Sequence, residues 1–144
     1  MKIHSEQEML NFGQSFADKL LDSAKPPQSH AIVVELIGDV GAGKTTFTRG
    51  LAKGLGLSTQ ISSPSFTISK SYPLGNHRQL VHYDFYRLSD PGIMASELAE
   101  SIKDPHNIIV IEWGDSVSDL LPQHHTTITI SYTEDDAREI TLKS

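Results

Sequence analysis

Residues 31–46 read AIVVELIGDVGAGKTT. The first part, residues 31–37, is nearly continuous apolar sequence rich in β-branched side chains, which suits a strand buried on both faces, as in a parallel sheet. It runs directly into Gly38, Gly43, Lys44 and Thr45 at the spacing G-x-x-x-x-G-K-[ST]. Glycines at these positions allow backbone conformations that other residues resist and let the chain approach an oxyanion closely. Successive N–H groups then converge at a helix N-terminus, where the helix dipole favours negative charge. Residues 47–55 read as that helix, stopped near Gly54 or Gly56. A strand, a glycine loop and a helix in this order predict an α/β phosphate-loop fold. A chance match of the loop pattern alone in a chain of this length is below roughly one in a hundred.

The loop predicts a chemistry. Lys44 supplies a point positive charge for β- and γ-phosphates, and the Thr45 hydroxyl is a ligand for Mg²⁺. The predicted ATP-binding set is Gly38, Asp39, Val40, Gly41, Ala42, Gly43, Lys44, Thr45 and Thr46. Such a site also needs a carboxylate at the end of another strand, to hold metal or order the attacking water. Glu112 follows the apolar run of residues 108–111, and Asp84 ends the run of residues 80–83. Both are candidate catalytic acids, with Glu112 also a candidate metal-side ligand; the alternative makes each a strand-end carboxylate that caps a turn. Trp113, taken alone, reads as a core or interface anchor more readily than as a nucleotide contact. Arg49 and Arg87 fit phosphate or surface roles equally. His124 and His125 have no clustered third ligand in sequence and read as a solvated loop.

The rest of the chain fits one domain, residues 1–144. Residues 5–24 predict an amphipathic helix with Met9, Phe12, Phe16 and Leu20 on one face. Ser5 and Glu8 have the spacing of a capping box at its start. Residues 66–72 and 79–85 predict an antiparallel hairpin, residues 93–102 a short helix, and residues 107–111 a second buried strand. Residues 126–132 alternate and end the sheet, with residues 138–142 a last strand. No apolar run approaches the ~20 residues of a membrane span, the N-terminus is too polar for a signal peptide, and the chain has no cysteine. These features fit a cytoplasmic protein. The formal net charge of −6 argues against gripping RNA or DNA unaided, since that relies on Lys and Arg.

No N-K-x-D motif is present, which disfavours a Ras-type GTPase. A small P-loop kinase acting on a small molecule or a protein stays open, although its arginines are few and scattered. So does a switch in which ATP only holds a partner-binding loop.

Four segments together carry a resemblance: the loop of residues 38–47, then Ser63-Pro64-Ser65-Phe66-Thr67, then His82-Tyr83-Asp84-Phe85-Tyr86-Arg87-Leu88, then Ile111-Glu112-Trp113. In order and spacing they resemble the bacterial ATPase family of tRNA threonylcarbamoyladenosine biosynthesis, TsaE, over nearly the whole chain. The resemblance implies a mostly parallel central sheet flanked by helices, with an antiparallel hairpin insertion. It implies a Mg²⁺-dependent ATPase, weak alone, that supports or resets the complex modifying adenosine 37 of tRNA. Its partners would be the threonylcarbamoyl transferase subunit and that subunit's dimerising companion, which hold the tRNA. By the same resemblance Lys44 contacts phosphates, Thr45 and Glu112 serve the metal, and Asp84 is the acid of D-x-Y-R. Residues 63–67 form a nucleotide-sensing switch loop, Trp113 lies near the site, and Glu6 and Arg138 lie on the base side. Ser65 stands where the family more often has Thr; both keep a hydroxyl.

Overall fold

A computed structural model describes residues 1–23, 29–39, 41–57, 69–86 and 92–143. Val40, Arg87 and the expected switch loop of Ser63, Pro64, Ser65, Phe66 and Thr67 lie outside the described residues.

Seven strands form one sheet: β1 (Lys2–Ile3), β2 (Ile32–Ile37), β3 (Ser69–Pro73), β4 (Gln79–Asp84), β5 (Asn107–Glu112), β6 (Thr126–Tyr132) and β7 (Arg138–Lys143), in the spatial order β1-β7-β6-β2-β5-β4-β3. The four central strands, β6, β2, β5 and β4, are parallel. Antiparallel strands flank them: β3 on one margin, β7 and β1 on the other. The predicted hairpin is present as β3 and β4, and its second strand belongs to the parallel core. β6 is an interior strand rather than the sheet's end, because β7 folds back beside it and the N-terminal β1 adds outside β7. Nothing in the sequence signals β1, since two residues carry no period.

Helices cover both faces, which explains the continuous apolar runs. Every residue of β5 is buried. On one face Val34, Leu36, Ile108, Val110 and Ile128 pack against Met9, Phe12, Phe16 and Leu20 of α1 (Glu6–Ser23) and Phe47 and Leu51 of α2 (Lys44–Gly54). On the other, Val33, Val81, Tyr83, Ile109 and Ile111 pack against Leu98 and Ile102 of α3 (Ile93–Lys103) and Val117 of a 3₁₀ segment, Gly114–Leu120. The alternation of strand side chains thus builds two cores from the same strands.

α1 starts as its sequence predicts. The Glu8 N–H donates to Ser5 Oγ (3.1 Å), while the Glu8 carboxylate accepts from the His4 N–H (2.7 Å), one residue earlier than in the reciprocal capping box. α1 and α2 cross with their backbones almost touching. A Cβ built at Gly13 would lie 2.4 Å from the Phe47 carbonyl oxygen, and one at Gly50 would lie 2.2 Å from that of Leu10. This crossing fixes α2, and therefore the loop before it, against the N-terminal helix.

Candidate active site

The glycine loop begins where β2 ends. At Gly38 a Cβ would sit 2.6 Å from the Ile130 carbonyl oxygen of β6, so no side chain fits. Gly41 and Gly43 have φ of 81° and 114°, values that L side chains rarely adopt. The chain then turns into α2, whose start carries no side-chain cap. The Ala42 N–H donates to the Asp39 carbonyl (3.0 Å), closing the loop on itself. Lys44, the first residue of α2, folds back over the loop. Its Nζ donates to the carbonyl oxygens of Gly38 and Asp39 and stands 4.1 Å from the centroid of the Trp113 ring. Lys44 is buried, and burial lowers its pKa below the usual 10.5 against the opposing pull of Glu112, Asp84, Asp39 and Tyr86.

The two acids meet across adjacent strands. β4 and β5 run parallel with Asp84 in register with Glu112 at their C-terminal ends. With Gly41, Gly43, Lys44, Thr45, Thr46, Tyr86 and Trp113 they line a cavity of about 290 Å³. Ligand crevices in open α/β sheets lie at this edge. Asp84 Oδ1 accepts from the Tyr86 N–H (2.9 Å). Burial raises the Asp84 pKa above 3.8; the Tyr86 N–H works against this, and the neighbouring Glu112 carboxylate adds to it. Glu112 is buried, and its Oε2 lies 2.5 Å from Nε2 of His82, a fully buried residue of β4. After Glu112 the chain takes a left-handed turn at Trp113 (φ 57°), which carries the indole over Lys44 and 4.8 Å from the Tyr86 ring.

The Thr45 hydroxyl and the Asp84 and Glu112 carboxylates that line this cavity are hard oxygen donors, which suit Mg²⁺ rather than a soft metal. Among the described residues no group of three or more His, Cys, Asp or Glu could form a complete metal cage. A partial set is what Mg²⁺ accepts when waters and substrate phosphates fill the rest of its shell.

A second cavity, about 390 Å³, adjoins the other side of the loop. Glu6, Met9, Gly41, Gly43, Thr46 and Arg138 are among its lining residues. Arg138 Nε donates to the Ala42 carbonyl (3.1 Å), and its guanidinium stacks 4.0 Å from the Tyr132 ring centroid. The strand pairing of β1 with β7 is what brings Glu6 and Arg138 together from opposite ends of the chain.

Other expectations need adjustment. Arg49 lies on α2 and lines neither cavity. Of the two loop histidines, His124 is exposed, whereas His125 is partly buried, with Nδ1 2.7 Å from the Pro122 carbonyl and Nε2 3.4 Å from Glu35 Oε1. It anchors the start of β6 rather than sitting in a solvated loop. Sequence reasoning gave His82, Tyr86 and Met9 no role at the site. Strand alternation already puts His82 on the same face as Asp84, but its meeting with Glu112 depends on how β4 pairs with β5.

A family model described as threonylcarbamoyl adenosine biosynthesis protein TsaE matches residues 3–140. The chain belongs to the TsaE family. It is 38% identical over 140 residues to the tRNA threonylcarbamoyladenosine biosynthesis protein TsaE of Haemophilus influenzae, covering 97% of this chain and 85% of that one. It is 41% identical over 111 residues to the Bacillus subtilis protein of the same name, covering 76% of this chain and 68% of that one. A solved structure, that of B. subtilis YdiB, superposes with a TM-score of 0.74 at 34% identity, covering 99% of this chain and 82% of its own. As a TsaE protein, this chain has a role in threonylcarbamoyladenosine biosynthesis on tRNA. Among the described residues no helix is long and apolar enough to cross a membrane.

Proposed function

We propose that the chain, as one domain over residues 1–144, is a magnesium-dependent ATPase. It is slow alone and driven by the threonylcarbamoyl transferase subunit and its dimerising companion, the complex that modifies adenosine 37 of tRNA. One observation carries the reading: Asp84 and Glu112 stand in register at the ends of parallel strands and share a cavity with Lys44 and Thr45.

In this reading the backbone of Gly38, Asp39, Val40, Gly41, Ala42, Gly43 and Thr46 cradles the ATP phosphates, with Glu6 and Arg138 bordering the base side. Lys44 exchanges the carbonyls of Gly38 and Asp39 for phosphate oxygens. It is already dehydrated by burial, so this exchange requires little further desolvation. Thr45 and Glu112 would hold magnesium, which neutralises charge on the transferring phosphoryl group. One of the two acids orients water for attack on the γ-phosphorus; the bond to the β-phosphate oxygen breaks, and ADP leaves. Asp84 keeps its carboxylate fixed through the Tyr86 N–H. Trp113 shields Lys44 until the nucleotide arrives.

Slow solo turnover follows from charge. Among the described residues lining the catalytic cavity there is no arginine, and an arginine finger is worth ~10³-fold or more where one operates. The net charge of −6 agrees with tRNA being held by the partner complex.

The deciding experiment is Mg²⁺-dependent phosphate release by the purified chain, alone and with the transferase complex. Low release alone and a clear rise with the complex are expected. No change on adding the complex removes the partner-driven reading and reopens that of a kinase with its own acceptor.

A further inference from the structure

His82 is the fourth residue of β4 and has no solvent exposure. Burying an imidazole so completely in an apolar core is unfavourable unless its polar atoms are used. One of them is: Nε2 lies 2.5 Å from Glu112 Oε2. The other, Nδ1, has no hydrogen-bond partner among the described residues. A proton on Nδ1 would be a buried donor with nothing to receive it, whereas a bare Nδ1 loses less, so the ring proton belongs on Nε2. His82 is therefore a donor aimed at one oxygen of the buried acid.

The strand geometry makes this contact specific. His82 is in register with Val110 and Asp84 with Glu112. His82 thus reaches diagonally across the sheet face to the carboxylate beside Asp84. Glu112 has one more rotatable bond than an aspartate would have at this strand end. Left alone, its carboxylate could sample several positions.

We propose that His82 is the positioning residue for Glu112. It binds Oε2, locks the side-chain torsions, and leaves Oε1 as the oxygen that works in the cavity. The role rests on the ATPase reading above. It also explains how a glutamate serves a position that needs the precision of a shorter acid. Partners of this kind are worth about 10–100-fold in metal affinity or activity.

Three substitutions separate positioning from filling. In His82→Gln the amide nitrogen can occupy the place of Nε2; in His82→Asn it occupies that of Nδ1 and cannot reach Glu112; His82→Phe keeps the bulk without the donor. With the transferase complex present, His82→Gln is expected within about threefold of wild-type kcat. His82→Asn and His82→Phe are expected to lose about 10–100-fold in kcat, with KM for ATP within about threefold. Equal losses in Gln and Asn, or full turnover in Phe, would overturn the proposal.

A second readout needs no turnover. Nitrogen-15 NMR of the histidine rings in the nucleotide-free protein should show the His82 ring protonated at Nε2 and bare at Nδ1. That signal should vanish in His82→Gln, and its Nε2 proton should move upfield in Glu112→Gln. A proton on Nδ1, or no response to Glu112→Gln, also overturns the proposal. If wild-type protein releases no phosphate even with the complex, the ATPase reading fails by itself, and the NMR result still decides whether His82 holds Glu112.

Discussion

Replacing Gly50 with alanine sets two well-defined effects against each other. Gly50 lies inside α2, where alanine is preferred by about 1 kcal/mol on helix propensity alone. The structure opposes the change. The new Cβ would stand 2.2 Å from the Leu10 carbonyl oxygen, 2.9 Å from its carbon and 3.0 Å from its Cα, all backbone atoms of α1. A carbon–oxygen contact of about 3.4 Å is ordinary, so α1 must retreat by roughly 1 Å. That retreat loosens the Phe12, Phe16 and Phe47 rings, whose centroids are now 5.6 to 6.3 Å apart. Overpacking of this kind costs about 1–3 kcal/mol, and contact with backbone rather than a flexible side chain puts it at or above the upper end. The net expectation is a loss of about 2 kcal/mol, or roughly 6 °C in melting temperature for a chain of this size. Gly75→Ala is the control. Its Cβ would meet nothing within 4 Å and its φ is not positive, so it should be neutral or stabilising by about 0.4–1 kcal/mol. Circular dichroism melts and urea titrations of both variants measure the difference. A Gly50→Ala protein that melts at or above wild type, beside a well-behaved Gly75→Ala, refutes the close-crossing argument. The variant also tests function, because α1 carries Glu6 and α2 begins with Lys44 and Thr45.

The remaining predictions concern the site. Lys44→Ala should weaken nucleotide binding about 10-fold or more, since a charge-assisted contact of roughly 1.5–3 kcal/mol is lost; unchanged affinity by calorimetry would move the phosphate seat elsewhere. Thr45→Val keeps the side-chain shape and removes the hydroxyl, so the Mg²⁺ dependence of nucleotide binding should fall while the melting temperature stays within a few degrees; an unaltered Mg²⁺ titration would exclude Thr45 as a ligand. Asp84→Asn should raise stability at neutral pH while lowering phosphate release. Burial raises this carboxyl's folded pKa above its ordinary 3.8, so the folded state holds the proton more tightly than the unfolded chain. Stability then falls as pH rises through the window between those two values, and the asparagine variant should lose that slope. Urea titrations of both proteins across the acidic range measure it, and parallel profiles would contradict the burial argument.

Local patterns determined a good part of this protein. Residues 31–46 dictate strand, loop and helix because a β-branched apolar run, glycines at fixed offsets and a following helical period leave no other solution. β6 begins and ends where its alternation does, and Ser5 with Glu8 marks the start of α1. Lys44, Thr45, Asp84 and Glu112 stand out in the sequence as candidates because each ends or follows a strand pattern, the place where an α/β sheet presents side chains to a ligand, and the structure groups them around one cavity. Tertiary structure decided the rest. Strand order, which seats β6 beside β2 and carries β1 to the far edge, depends on pairings between residues far apart in the chain, such as Val34 with Thr126 and Lys2 with Glu139, and periodicity does not encode partners. The register that aligns Asp84 with Glu112 and brings His82 to that carboxylate arises only when β4 lies parallel to β5. Glu6 and Arg138 share a cavity because the two ends of the chain pair as strands. The need for glycine at positions 13 and 50 arises only where α1 and α2 cross, since close packing between distant segments follows from shape, which a one-dimensional pattern does not carry.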